Sequence, residues 1–573
     1  MRRSWLVGLW VGLVACPASD EGPTDGAPTG DSDTSSTGPT GDTGAPLTIV
    51  EGSVVEHGVV TCADPTARQT RPFDRRELGE GWRFAVDYRA PDWDMRFGAK
   101  GIVMGDFDGD GHVDLIVPQV HERTRLLFGD GEGGFVPGSD SLPDTEGLQG
   151  AVGGSAADVD GDGDLDVFLY GFYRTPPVLL LNDGTGRFDG EAHPEWDQED
   201  FLGCGGSASF GDVDLDGDLD LFYGRLGTIQ GDTELQCPSR LLLGDGTGAF
   251  VDASDQLDPA IQEIRVMASG FVQMDDDPHL ELFVVADAVM ESAKNPKVVG
   301  SNYLLDNGPD GLSLHADPAL QRVTAGMGLA VGDVTDDGIA DLVVPGVDEL
   351  IVANSAAGTW IDYAQTYRLV PDLELDQSSG WGGEYADLDN DGDQELLMGF
   401  GAFESRGIRV QPDEIYEDRR RTDEVYVPVG AAWGWNDGLS TRGFLTVDLN
   451  GDGWLDTVKR ELGGVVVIHN ARCGEGSWLS VELEGPDAGN PSAVGAEVRV
   501  VVGGEVQRRW VMAGSTSFSS GGPPVVHVGL GDAEAVDRIE VRWPSGETTA
   551  HPGVAASQRV TVRHPSLVSE QEG

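Results

Sequence analysis

Short apolar runs recur along this chain, separated by stretches rich in Asp and Gly. Leu115-Ile116-Val117, Val167-Phe168-Leu169, Leu221-Phe222-Tyr223, Leu342-Val343-Val344 and Leu396-Leu397-Met398 are too short for helices. Such runs, bounded by turn formers, read as buried strands. Small and apolar residues precede them, as in Ile102-Val103-Met104-Gly105 and Leu329-Ala330-Val331-Gly332. A further strand lies downstream: Leu126-Leu127-Phe128, Leu180-Leu181 and Leu242-Leu243 run into Gly-rich turns and then reach Phe135, Phe188 and Phe250. The unit recurs every 52 to 61 residues, a length that suits a four-stranded blade. Seven copies predict an all-β fold, a seven-bladed β-propeller over 47–470. An open β-solenoid fits less well, because its repeats are shorter and more uniform. Beyond 470 the pattern changes: Ser480-Val481-Glu482-Leu483-Glu484 and Arg538-Ile539-Glu540-Val541-Arg542 alternate polar with apolar. That predicts half-buried strands of a small C-terminal β domain over 471–565, followed by a tail at 566–573.

The polar stretch before each second strand repeats one spacing, Asp-x-Asp-x-Asp-Gly-x-x-Asp. Copies begin at Asp106, Asp158, Asp212, Gln273, Asp333, Asp387 and Asp448. Alternate residues on a tight loop can turn their oxygens toward one point, and Ca²⁺ takes six to eight hard oxygens. Positions 1, 3 and 5 offer side chains, the Gly at position 6 permits the turn, position 7 offers its carbonyl, and position 9 a carboxylate that can bind bidentately. The candidate ligands are Asp106, Asp108, Asp110, His112 and Asp114, then Asp158, Asp160, Asp162, Asp164 and Asp166, then Asp212, Asp214, Asp216, Asp218 and Asp220. Further on come Asp333, Thr335, Asp337, Ile339 and Asp341, then Asp387, Asp389, Asp391, Asp393 and Glu395, then Asp448, Asn450, Asp452, Trp454 and Asp456. Carboxylates some 4 Å apart repel by about 4 kcal/mol per pair at an effective dielectric of 20. A cation among them removes that cost.

An EF-hand is rejected, since it needs Glu at position 12. Here that position holds Val117, Leu169, Tyr223, Val284, Val344, Met398 and Lys459. Five loops carry a full ligand set. The loop at 333 is weakened by Thr335, and the loop at 273 is degenerate, with Gln273, Asp275, Asp277, Pro278 in place of Gly, His279 and Glu281. The expected cofactor is Ca²⁺, about five to seven ions, each stapling a blade more than acting as a switch.

The formal net charge of −62 argues against nucleic acid and against anionic lipid head groups as partners. The charge is concentrated in the repeats and the linker: between Arg472 and His564 eight Lys and Arg face eleven Asp and Glu. At the N-terminus Arg2 and Arg3 precede an apolar stretch from Trp5 to Ala15, too short to span a bilayer. It ends in Leu13-Val14-Ala15-Cys16, which resembles a bacterial lipobox. Lipidation at Cys16, after a signal peptide of 1–16, is therefore expected, giving an exported protein anchored in the bacterial envelope. Residues 17–46 contain only Pro, Ala, Ser, Thr, Gly, Asp and Glu, a composition that forms no core. As a flexible tether they would span roughly 30 Å. Cys62, Cys204, Cys237 and Cys473 remain. In an oxidising compartment they allow three pairings, of which Cys204–Cys237 with Cys62–Cys473 is favoured.

Catalytic motifs are scarce. Gly129-x-Gly131-x-x-Gly134 matches a dinucleotide fingerprint formally, but Phe135-Val136-Pro137 follows instead of a helix, so it reads as a hairpin turn. There is no Gly-x-Ser-x-Gly and no His-Glu-x-x-His, and the ten His are scattered singly.

The loops resemble the FG-GAP/VCBS repeats of integrin-like propellers. The C-terminal order of Trp478-Leu479, Asn490, Val494-Gly495-Ala496, Gln507, His527-Val528-Gly529-Leu530-Gly531 and Trp543-Pro544-Ser545-Gly546 resembles the ASPIC/UnbV domain of cartilage acidic protein-like proteins. Ser440-Thr441-Arg442-Gly443 also fits that family. The resemblance covers about 47–564 and implies a calcium-binding propeller followed by a small β domain, extracellular or envelope-bound. It fixes no ligand. The functional expectation is a non-enzymatic binding or adhesion module for a protein or glycan. The alternatives are an envelope carbohydrate-active enzyme with acids at the propeller centre, or a structural assembly factor.

Overall fold

The computed structural model describes residues 47–568 apart from 63–67, 69–71, 79–100, 121, 139–140, 172–174, 198–203, 227, 231–232, 236, 276, 288–300, 310, 316, 318–319, 321–325, 347–349, 355–359, 370–377, 403–411, 424, 463–464, 487–488 and 515–516. The expected signal peptide, Cys16 and the 17–46 linker lie outside the described residues.

Among the described residues seven antiparallel sheets follow one another along the chain, six of four strands and the third of five. The first is built from Val103–Gly105, Asp114–Val117, Arg125–Gly129 and Phe135–Pro137, paired in sequence order. The next five open with Ala151–Ala157, Gly205–Gly211, Val266–Val272, Ala330–Gly332 and Ser378–Ala386. The seventh contains Thr441–Val447, Asp456–Glu461 and Val466–Ala471, and its outer strand is Phe73–Glu77 from the other end of the chain. Apolar clusters join each sheet to the next. Val103, Phe107 and Ile116 pack with Ala156, Val167 and Leu169, and the series continues through the middle sheets. Leu445, Val458 and Ile468 then pack on Ile102, Met104 and Leu115, which brings the seventh sheet back to the first. Each such side chain, fully buried, contributes about 1.5–3 kcal/mol.

The C-terminal domain is two further four-stranded sheets around Leu479, Val498, Val528, Ile539, Val541 and Trp543. Its edge strand corrects the expected boundary at 47. Val54–His57 pairs antiparallel with Gln558–Arg563, so this strand belongs to the C-terminal domain, while Phe73–Glu77 goes to the propeller. Sequence period could not show this, because a lone strand finds its sheet through unpaired edge amides.

The two favoured disulfides are both present, Cys62–Cys473 and Cys204–Cys237. Cys62–Cys473 spans 411 residues and lies between the two N-terminal strands and the end of the seventh sheet. Replacing both of its cysteines with Ser is expected to lower unfolding stability by about 2–5 kcal/mol, read from denaturant midpoints. A loss below about 0.5 kcal/mol would contradict a role in closing the ring.

A C-terminal segment fills the axis. Ala513–Gly514 pairs with Ser209 and Phe210 in the inner strand of the third sheet. The Phe444 amide donates to Ser517 Oγ at 3.3 Å, and the Gly154 amide to the Ser519 carbonyl at 3.3 Å. Gly521 exchanges main-chain hydrogen bonds with Ile102 and Met104 at 3.1 and 3.0 Å. Phe518 packs among Met267, Met327 and Trp381. One short segment that touches inner strands all round the ring must lie on its axis. Space for it exists because Gly101 and Gly153 carry no side chain there: a Cβ would lie 1.8 Å from the Ser519 carbonyl oxygen and 2.4 Å from Ser519 Cβ, respectively.

Candidate metal centres

Each carboxylate loop is the connection between the first and second strands of its sheet, closed at one register. Gly105 pairs with Asp114, Ala157 with Asp166, Gly211 with Asp220, Val272 with Glu281, Gly332 with Asp341, Ala386 with Glu395 and Val447 with Asp456. The residue before position 1 therefore always faces position 9, the first residue of the second strand. Position 6 is left-handed in all six loops that have Gly there, with φ from 80 to 102° at Gly111, Gly163, Gly217, Gly338, Gly392 and Gly453. The predicted need for Gly is thus met in the backbone.

Two roles separate within the loops at 106, 158, 212 and 448. The position 1 carboxylate organises the turn: Asp106 accepts from Gly109 and Gly111 at 2.9 and 2.8 Å, and Asp158 from Gly161 and Gly163 at 2.8 Å each. The position 9 carboxylate pins the loop to the sheet. Asp114 accepts from Phe107 and Gly129 at 2.8 Å each, Asp166 from Val159 and Asn182 at 3.0 and 2.8 Å, and Asp220 from Val213 and Gly244 at 2.8 and 2.9 Å. Asp456 does the same with Leu449 and Ala471 at 2.9 and 2.6 Å. In these four loops both oxygens of position 9 are thus occupied by amides, which leaves one lone pair on each for an ion.

The donor sets fit a hard cation. In the loops at 106, 158, 212 and 387, one ligand atom each from positions 1, 3 and 9 lie within 4.8 Å of one another. Asp387 Oδ1, Asp389 Oδ1 and Asp160 Oδ1 are buried atoms without a hydrogen-bond partner. An unpartnered buried carboxylate oxygen is costly unless something positive faces it. Burial, reinforced by neighbouring carboxylates, pushes Asp114 up to about 7, Asp158 to about 6, Asp212 to about 7 and both Asp166 and Asp220 to about 8. These are groups that need a counter-charge to stay ionised at neutral pH. The all-oxygen ligands suit Ca²⁺ or Mg²⁺ chemistry and not a soft metal.

The loops at 333 and 273 differ from the others in their hydrogen bonding. The Thr335 hydroxyl donates to Asp341 at 3.2 Å, so its oxygen is committed to the position 9 carboxylate. In the loop at 273, the Gln273 side-chain amide donates to the Asp275 carbonyl at 2.9 Å and to that of Asp277. The Arg542 guanidinium donates to the same two carbonyls at 2.9 and 2.5 Å. A fixed cation from the C-terminal domain thus sits against this loop, although Asp275, Asp277 and Glu281 still converge within 4.8 Å.

The loops share one face, and the C-terminal domain covers it. Arg559 donates to the Gly111 carbonyl at 3.2 Å, and the Leu219 amide to that of Gly489 at 3.2 Å. Gly529 donates to Asp387, and Trp478 packs so closely on Gly453 that a Cβ there would meet its ring at 1.7 Å. Between domain and propeller lies a cavity of about 730 Å³ whose lining includes Asp106, Asp158, Asp387 and Asp448, all at position 1. Sequence reading missed these partners. It also missed Arg68, which donates to the carbonyls of Leu388 and Arg472 and lies over Trp454 at 4.4 Å, bridging the loops at 387 and 448.

Successive sheets are latched through the loops. Asn182 Nδ2 donates to the Phe107 carbonyl, and Asn307 Nδ2 to that of Val213, each at 2.8 Å. Both side chains reach back from the following sheet to position 2 of a loop. Asn182→Ala is expected to cost about 1–3 kcal/mol in denaturant unfolding, since the buried carbonyl loses its donor. A change within 0.3 kcal/mol would show that the latch carries no weight.

No described helix is long and apolar enough to cross a membrane. A family model described as FG-GAP-like repeat matches residues 106–169 and 158–223, and one described as ASPIC and UnbV matches 486–568. No curated protein matches the chain. Among solved structures, an Agrocybe aegerita lectin, in work on recognition of non-reducing terminal N-acetylglucosamine, is 14% identical. That alignment covers 75% of this chain and 95% of the lectin, with a TM-score of 0.36. The BP39L lectin from Burkholderia pseudomallei is 11% identical over 66% of this chain and 97% of its own, TM-score 0.38. BBS1N in complex with ARL6DN is 11% identical over 66% and 93%, TM-score 0.37. The chain carries FG-GAP-like repeats on a β-propeller, followed by an ASPIC and UnbV domain.

Proposed function

We propose that this protein is a calcium-stabilised, non-enzymatic interaction module, held at the bacterial envelope by a lipid on Cys16 and presenting its surface to a protein or glycan. The observation that carries the reading is the repeated loop with converging carboxylates, some of whose buried oxygens have no partner. A chain that builds such sites at nearly every repeat uses ions to hold its sheets. Rigid sheets in turn present connecting loops to a partner. The filled axis weighs against the alternative of an envelope enzyme with acids at the propeller centre, because Phe518 and its flanking serines occupy that space.

Isothermal calorimetry and native mass spectrometry of the mature chain should find about five bound Ca²⁺ ions, one for each full loop. No calcium binding would reject the reading. A glycan array and an envelope pulldown with the same protein test the partner class. Turnover of an arrayed glycan would favour the enzyme instead.

A further inference from the structure

We propose that the loop at 387 is an interdomain lock, in which a bound cation and the docked C-terminal domain stabilise each other. This rests on the calcium reading above. In the loops at 106, 158 and 448, position 1 uses Oδ1 for the amide of position 4 and Oδ2 for that of position 6. The loop at 387 is wired differently. Asp387 Oδ2 accepts from Gly392 at 3.0 Å and also from Gly529 of the C-terminal domain at 3.0 Å, while Oδ1 has no partner. The residue is 1% exposed. Asp389 Oδ1 is likewise buried and unpartnered, and ligand atoms of Asp387, Asp389 and Glu395 lie within 4.8 Å of one another.

Position 4 of this loop is Asn390, left-handed at φ 59° and fully buried. Its Nδ2 donates to the Gly453 carbonyl of the neighbouring loop at 3.0 Å. Its Oδ1 is therefore the acceptor for His527 Nε2 at 2.8 Å, and its carbonyl accepts from Gly531 at 2.8 Å. One side chain thus ties two carboxylate loops to the His527–Gly531 run. The contact tolerates only Gly at 529, where a Cβ would lie 2.2 Å from Asp387 Oδ2 and 2.5 Å from Asn390 Cα.

Docking therefore turns the Asp387 carboxylate and removes it from water, leaving one oxygen of Asp387 and one of Asp389 without partners. Arg68 and Arg509 supply positive charge nearby, yet neither donates to these oxygens among the described hydrogen bonds. A cation in the loop meets that need. The docked domain in turn fixes the ligand that the cation uses. Gly529 and Asn390 are positioning residues.

Amide hydrogen exchange on the full chain tests this, with calcium and with EGTA. Exchange at 526–531 should rise at least tenfold on chelation. Asp389→Asn, which leaves Gly529, Asn390 and His527 intact, should reproduce that rise in calcium while the loop at 158 stays protected. Gly529→Ala should weaken one calorimetric site at least tenfold and leave the others. Protection of 526–531 that ignores both EGTA and Asp389→Asn would overturn the lock, whatever the behaviour of Gly529→Ala. If the wild type binds no calcium at all, the functional reading itself fails; if calcium binds and 526–531 does not respond, only the lock fails.

Discussion

Chelation should lower the melting temperature of this protein by about 10 °C or more. A site held at a hundred times its dissociation constant contributes about 2.7 kcal/mol, so several full loops together reach on the order of 10 kcal/mol. The size of the effect depends on pH, and its sign follows from the buried carboxylates. Without an ion, Asp114 titrates at about 7 and Asp166 and Asp220 at about 8 in the fold, raised by burial. The unfolded chain ionises them near 4. Between those values the metal-free fold holds more protons than the unfolded chain. Their contribution to metal-free stability is therefore complete below about pH 4 and is lost as pH rises through about 8. Ion binding needs the ionised form and strengthens over the same range. The gap between calcium and EDTA melts should consequently widen from pH 5 to pH 8. Scanning calorimetry at the two pH values measures it; coincident melts in calcium and EDTA at pH 8 would refute ion stapling.

Phe518→Ala is expected to cost about 3–5 kcal/mol, the usual range for deleting a buried Phe ring. Phe518 is 4% exposed and meets the Trp381 ring edge-on at 5.1 Å, with Met267 and Met327 completing its cluster. The residue belongs to the C-terminal domain by sequence, yet it packs inside the propeller. Its loss should therefore move the single unfolding transition of the whole molecule, read as a lower guanidinium midpoint at unchanged slope. Val525→Ala, at a side chain 38% exposed, serves as the control and should stay within about 0.5 kcal/mol. A Phe518→Ala cost below 1 kcal/mol would mean that the axial segment is not part of the core.

The repeat was legible because each strand pair and its loop lie within about twenty consecutive residues. Position 9, the left-handed Gly and the apolar run after it all appear where the period puts them. The hairpin reading of Gly129–Gly134 holds for the same reason: the Asp130 amide donates to the Gly134 carbonyl at 2.9 Å, and Phe135–Pro137 continues as a strand. The Trp543–Gly546 stretch forms a turn, with the Gly546 amide donating to the Trp543 carbonyl at 2.8 Å. Less visible was the division of labour inside the loops. Nothing in the spacing says that Asp114, Asp166, Asp220 and Asp456 at position 9 give both oxygens to backbone amides, one of them from the third strand.

The all-β units and the carboxylate loops are written in local sequence, since nine consecutive residues contain every ligand a loop can offer and local geometry aims them. Which residues complete those loops follows from packing between distant parts of the chain. Gly529 reaches Asp387 across 142 residues, Arg68 reaches Leu388 across 320, and Val54–His57 finds the far end of the chain. Such contacts follow no period. They form where a buried carbonyl or carboxylate needs a donor and where the absence of a Cβ lets two backbones meet, and both conditions exist only after the sheets have packed.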